Sequence, residues 1–392
     1  MLTNLYVSNY AFVDDRGLSL QLDRINIILG FPSIKETLFM APCILDGIMS
    51  NLSVHYTSQR VFGSFDELVY DGTVSKPTTI YLHFEKFRQP LHESFYSMLL
   101  SVTPSLLDKY SEELKSIEKL DLYLDILGDK VNSLQLSINE HITFSIMRRE
   151  SAWLWKIEVD GKVLVEKDNV FPAINFNALM LGIRSSLQYF DIRSWLIDRY
   201  QSLSTDSQSS IVARKLISLF SEVDKIKKIG EFMKKACGTD IRLRYIPPSS
   251  LGIEYRLSNS WKKTNFYDTD LIVAIPALAT IFGNSKGGTI ILSEISILSP
   301  KVQEALFELA KDVVLTEDKQ IIFLTNSPIL IQKLIKDKTM QKFSRVWIVY
   351  HEDGRAQATS LKLDENGLHA EKYKDKLYQF WTEDIIKEFV ID

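Results

Sequence analysis

Three short apolar runs, Ile25 to Leu29, Gly288 to Leu292 and Ile321 to Leu324, stand out because polar residues do not alternate through them. Unbroken runs of this length predict strands covered on both faces. Each is followed by a helix signal. After the first, Lys35-Glu36-Thr37 leads into an apolar helical pattern from Leu38 onward. After the second, an acidic end at Glu294 gives way to Ser299-Pro300 and a helix from about Val302; after the third, Thr325-Asn326-Ser327-Pro328 precedes a helix near Ile329. Beyond these, Arg345 to Tyr350 predicts a strand, Glu352-Asp353-Gly354 a turn, Ala356 to Leu363 its partner, and Thr382 through Val390 a short helix. The carboxylates of Asp384 and Glu388 then fall on the exposed side of that amphipathic end.

The middle of the chain carries different patterns. From Thr103-Pro104, apolar residues at Leu107, Tyr110, Leu114 and Ile117 predict an amphipathic helix. Asp160-Gly161, between Trp153 to Val159 and Lys162 to Val165, is a type I′ hairpin signal. Helices are expected near Asn177 to Tyr200 and Ser209 to Lys235, separated by a polar stretch, and over Leu271 to Ile281 with a kink at Pro276. No internal repeat or low-complexity segment is present.

With 392 residues, 45% hydrophobic, the chain can bury a large core in one composite domain or two to three lobes. No apolar run approaches the roughly 18 residues needed to span a bilayer, and the N-terminal residues lack a signal-type pattern, so a cytoplasmic location is expected. Cys43 and Cys237 are too few for a disulfide framework, and the six histidines have no metal-ligand spacing with them; both cysteines read as small core residues. A net charge of −4 excludes a surface that is basic throughout. The densest cationic stretch, Lys225 to Arg244, is interleaved with Glu222, Asp224, Glu231 and Asp240, which is the composition of a solvated helix face.

The junction at Arg24 to Leu38 is where chemistry enters. Strand, glycine, short loop, lysine and helix follow one another in the order of a phosphate-binding loop of the pattern G-x-x-x-x-G-K-[ST]. In such a loop, glycines turn successive backbone N–H groups onto phosphates and the hydroxyl after the lysine holds magnesium. Here Gly30 to Lys35 is one residue short, Ile34 stands in the glycine position, Glu36 replaces the hydroxyl, and Pro32 removes an N–H. An ordinary strand-to-helix turn accounts for this segment taken alone.

Taken with the later motifs, the chain resembles the ABC-type ATPase heads of the SMC, RecF and OLD families. Those heads have an acidic strand ending in aspartate-glutamate, then a D-loop with histidine-proline, and later threonine-histidine-serine-proline. The resemblance covers roughly residues 1–50 and 235–365, including Leu5 to Phe12 as the opening strand and aromatic turn and a strand at Leu18 to Leu22. It assigns Ser293 to the place of the magnesium-linked aspartate and Glu294 to that of the water-orienting glutamate. Asn326 takes the place of the γ-phosphate-sensing histidine, between matching Thr325, Ser327 and Pro328. The signature motif, serine-aspartate-glycine at a helix start, maps to Tyr267-Asp268-Thr269, where only the aspartate matches.

The resemblance implies an α/β P-loop NTPase fold of ABC-head type, with a mixed sheet, an antiparallel β portion and a helical insertion lobe. Residues 1–85 and 236–392 are expected to form the two parts of the head and 86–235 a mixed α/β insertion lobe. The insertion has no sustained heptads, which favours a RecF- or OLD-like head over a true SMC arm. No room follows Tyr350 for the nuclease domain of OLD-type proteins, so nuclease activity is not expected. Two function classes are then open. One is a non-catalytic subunit pairing as a homodimer, or as a heterodimer with an ABC-type paralogue, with DNA repair, chromosome organisation or defence as the setting by family analogy alone. The other is a diverged ATPase in which Lys35 contacts phosphate, Thr37 replaces the shifted hydroxyl and Glu294 positions water. Under the first, ATP and magnesium bind weakly if at all, with Gly30, Lys35 and Thr37 as the nucleotide-facing residues.

Overall fold

The computed structural model describes residues 1–40, 70, 75–86, 110, 117–128, 130–149, 152–168, 183, 186–192, 219, 222–246, 250–257, 259–263, 269–283 and 288–391. The three apolar runs lie side by side. Strands β3 (Ile25–Gly30), β14 (Thr289–Ser293) and β15 (Gln320–Leu324) are buried at every position. With β10 (Leu187–Asp191) on one flank and β16 (Ser344–Glu352) on the other, they form the parallel run β10-β14-β15-β3-β16. The hairpin expected after Tyr350 is present: β17 (Arg355–Leu363) returns antiparallel to β16 through a turn in which Asp353 and Gly354 both take positive φ. The short strands β18 (Leu368–His369) and β19 (Val390–Ile391) close that edge of the eight-stranded sheet.

Alternate residues of the parallel strands feed two cores. Ile25, Ile27, Leu29, Ile321 and Phe323 face a layer of helices: α2 (Val223–Cys237), α3 (Thr269–Gly283), α4 (Pro300–Thr316) and α5 (Pro328–Lys336). Helix α4 shows why it forms there. Pro300 sits at its first turn, where no amide partner is lost, and Val302, Ala305, Leu306, Ala310 and Val313 recur at helical spacing on its buried side.

The other faces of the same strands, including Ile28, Ile322 and Leu324, pack with α1 (Pro32–Met40) and a second, wholly antiparallel sheet. Its strands are β1 (Leu2–Ser8), β2 (Leu18–Gln21), β4 (Thr78–Glu85), β5 (Lys119–Leu127), β6 (Lys130–Ile138), β7 (Ile142–Arg149), β8 (Ala152–Val159) and β9 (Lys162–Asp168), in the order β2-β1-β4-β5-β6-β7-β8-β9. Leu120, Leu122, Leu124 and Ile126 alternate with more exposed residues, so one face is core and the other polar. A buried polar tie joins the two sheets. The Leu2 amide donates to Thr289 Oγ1 (3.0 Å) and Gln320 Oε1 (2.9 Å), and Gln320 Nε2 donates back to the Leu2 and Asp23 carbonyls, 2.7 Å each. A third sheet of three strands, β11 (Ile241–Ile246), β12 (Ser250–Leu257) and β13 (Ser260–Lys263), comes after α2.

The Asp160-Gly161 hairpin forms as expected, both turn residues at positive φ. The helix expected over Asn177 to Tyr200 requires correction. Leu187–Asp191 is instead the parallel edge strand β10, whose Tyr189-Phe190 pair suits a pleated surface beside β14. Of the second helix expected, Ser209 to Lys235, the part from Val223 onward is present as α2; most of the rest lies outside the described residues. Four of its lysines are paired, Lys225 with Glu222 (2.7 Å), Lys234 with Asp240 (3.2 Å), and Lys227 with Glu231 and Lys228 with Asp312 (3.9 Å each), as on a solvated helix face. The helix expected from Thr103 lies outside the described residues except at Tyr110 and Ile117, and Cys43 lies outside them entirely.

Candidate nucleotide-type site

Gly30 ends β3 with φ +128°, and a Cβ there would stand 1.9 Å from the Val349 carbonyl oxygen. Glycine is required by both strain and space. The start of the next helix is a second correction. Helix α1 begins at Pro32, not Leu38, so one residue, Phe31, separates strand from helix. Proline at a first helical position is pre-set for the helix, and the Ile34 and Lys35 amides already bond to the Phe31 carbonyl at 3.1 Å. A loop of one residue cannot wrap a polyphosphate in successive amides.

Lys35 therefore projects from the first turn of α1. It has no exposed surface, and its Nζ lies 3.3 Å from Glu294 Oε1, itself almost wholly buried. Glu294 succeeds β14 with φ 58° and ψ 35°, a left-handed conformation that costs a non-glycine residue about 1–3 kcal/mol and is held by the Glu294 amide bonding to Leu324 O at 2.9 Å. Beside this pair, Ser293 Oγ donates to Glu36 Oε1 at 3.3 Å. The Thr37 hydroxyl turns back along its own helix to the Ser33 carbonyl, 2.5 Å away.

Asn326 closes the arrangement. Its Oδ1 accepts from the Gly30 amide (2.8 Å) and its Nδ2 donates to the Gly30 carbonyl (3.0 Å), so one side chain satisfies both polar groups of the strand end. Two supports have little signal in the sequence. Trp381 Nε1 donates to the Asn326 carbonyl at 2.8 Å, and Ser327 Oγ donates to Gln303 Oε1, whose Nε2 donates to Leu298 O at 2.5 Å. Only the position of Gln303 in a helix after the acidic strand hints at this. At the rim, the His351 ring meets Phe12 edge-on at 5.2 Å and Phe31 at 6.2 Å.

Lys35, Glu36, Ser293, Glu294 and Asn326 thus converge from sequence positions 35 to 326, while the Thr37 hydroxyl turns away. The signature equivalents do not all enter the picture: Thr269 opens α3, while Tyr267 and Asp268 lie outside the described residues. From this helix Asp270 Oδ1 accepts from the Ser299 amide at 2.9 Å, tying α3 to the start of α4.

The donor set does not fit a magnesium-bound triphosphate. Magnesium seeks hard oxygen ligands with room for its waters. Here the Thr37 hydroxyl is turned away, the Gly30 amide is engaged by Asn326, and the carboxylate of Glu36 stands where a triphosphate would add like charge.

Solved structures share this arrangement of sheets and helices. An Smc head bound to the C-terminal winged-helix domain of ScpA is similar at 11% identity and a TM-score of 0.55, over 92% of this chain and 98% of the other. The Smc head with coiled coil and joint from Pyrococcus yayanosii is similar at 10% identity and a TM-score of 0.52, over 96% and 99%. The fold is similar to that of these Smc heads. No family model matches the sequence, and no curated protein matches it either. The mixed α/β architecture expected of an ABC-type head is therefore present. Among the described residues, no helix is long and apolar enough to cross a membrane and no cluster of ligating side chains suits a metal ion.

Proposed function

We propose that the chain is a non-catalytic ABC-type head, a pseudo-ATPase that pairs head to head with itself or with an active paralogue and contributes structure to a cytoplasmic complex. The observation that carries this reading is the Ser293–Glu36 contact: where the family places a magnesium-linked aspartate and a magnesium-binding hydroxyl, this chain has a serine hydroxyl bonded to a carboxylate. Phosphoryl transfer is accelerated almost entirely by positioning and by stabilising charge on the moving phosphoryl group. Without those ligands the barrier stays high even if nucleotide is present. The one-residue connection before α1 and the engaged Gly30 amide point the same way. A setting in DNA repair, chromosome organisation or defence rests on analogy with the SMC and RecF class, and DNA contact carries no support beyond that analogy.

One observation favours the alternative of a diverged active ATPase using Lys35, Thr37 and Glu294. Glu294 holds a strained left-handed backbone, and such strain is a habit of functional sites. A steady-state assay with ATP and magnesium separates the two. The proposed function expects turnover indistinguishable from the Lys35→Ala variant. A Lys35-dependent turnover on the order of one per second, ordinary for an enzyme, sinks it. Calorimetric titration of ATP with magnesium is expected to show no micromolar binding.

A further inference from the structure

The Lys35 ammonium is met inside the protein by the Glu294 carboxylate. Both groups are buried, they face each other at 3.3 Å, and they come from segments 259 positions apart in the chain. We propose that the Glu294 carboxylate acts as an internal substitute for an anionic ligand, so that the site is filled by the chain's own ion pair and takes a phosphate-class anion only when that carboxylate is neutralised. The inference rests on the non-catalytic reading, and explains how such a head keeps its strand ends tied without nucleotide.

Two anions compete for one lysine. An external anion reaching Lys35 must first separate a buried ion pair and leave Glu294 without its counter-charge. Breaking one partner out of such a pair weakens any competing interaction by roughly two to three powers of ten. The intramolecular carboxylate also loses no translational freedom on pairing, whereas a free phosphate does. Two further features hold the carboxylate in place. The Glu294 amide is bonded to the Leu324 carbonyl of the neighbouring strand, and its φ of 58° re-aims the side chain away from the regular strand direction. On the lysine side, the bond from the Lys35 amide to the Phe31 carbonyl fixes the first turn from which it projects.

The test uses inorganic pyrophosphate as the probe and the full chain. Glu294→Gln keeps the side-chain shape and removes the charge. Pyrophosphate is expected to bind Glu294→Gln at least about tenfold more tightly than the unsubstituted chain, and this gain is expected to vanish in Lys35→Met/Glu294→Gln. Equal affinity in the unsubstituted chain and Glu294→Gln overturns the proposal, as does a gain that survives loss of Lys35. Should Glu294→Gln not fold, the neutral double variant decides: a cooperative melt above that of Lys35→Met supports the pair, and a double variant that fails to fold or melts at or below Lys35→Met overturns it. ATP turnover by the unsubstituted chain would sink the non-catalytic reading by itself, while pyrophosphate affinity and the melting series report on the ion pair alone.

Discussion

Lys35 and Lys319 are both lysines with no exposed surface, yet they are handled differently. Lys319 opens toward the end of α3, donating to the Ile281 carbonyl at 2.7 Å and pairing at 2.8 Å with Glu317, whose side chain still reaches solvent. Lys35 faces a carboxylate that is nearly as buried as itself. A buried ammonium with a backbone carbonyl and a half-wet counter-ion is a structural fastening. One facing a buried glutamate of left-handed backbone has its charge met wholly inside the protein. Burial alone therefore does not distinguish the two lysines; the environment of the partner does.

The largest expected effect breaks the Lys35 side of this comparison. Lys35→Met leaves Glu294 buried without its counter-charge and is expected to lower unfolding free energy by about 3–5 kcal/mol in urea denaturation. A loss below about 1 kcal/mol would mean that solvent or another group compensates readily. Lys319→Met should cost less, about 2–3 kcal/mol, since it removes charged hydrogen bonds while Glu317 can turn to water.

The two lysines also differ in what pH should reveal. Burial pushes Lys319 below its ordinary value, with Glu317 opposing the shift. Between that lowered value and the unfolded value of about 10.4, the unfolded chain binds more protons than the native one. This lysine's contribution to stability therefore rises with pH through that window and levels off above it. Subtracting the Lys319→Met curve from the parent curve should isolate that rise; a flat difference would refute it.

Asn326→Ala comes next, at about 1–3 kcal/mol, because it leaves the Gly30 amide and carbonyl without their shared partner. A wild-type melting temperature in this variant would show that the strand end needs no latch. The smallest effect belongs to a third lysine. Lys311 pairs with Asp337 at 2.5 Å but is a third exposed, and Lys311→Met is expected to cost under about 1 kcal/mol, with molar salt erasing most of it. A larger loss would place this pair with the buried ones.

Legibility in the sequence divides along physical lines. β3, β14, β15 and β16 are legible because strands covered on both faces carry unbroken apolar stretches with few polar residues. The Ser299-Pro300 and Ser327-Pro328 pairs mark helix starts for an equally local reason. Leu187–Asp191 misleads because Leu179, Leu181 and Ile183 upstream offer no break before a five-residue edge strand whose pairing to β14 is wholly non-local. The alternation from Leu120 to Ile138 is the signal by which β5 and β6 could be found. At the site, the sequence positions of Lys35, Ser293, Glu294 and Asn326 are legible, and their convergence comes with the fold. That Lys35 faces Glu294, and Glu36 faces Ser293, is not, since it depends on α1 starting at once after Phe31.

The placement of β3 has a consequence for how the protein is made. It lies between β15 and β16, so this apolar strand must wait during synthesis for flanks encoded some 290 residues later. At synthesis rates of about 5–20 residues per second, that interval is on the order of 15–60 s. Throughout it, Ile25 to Leu29 has neither of its final neighbours and remains a stretch for chaperones to shield.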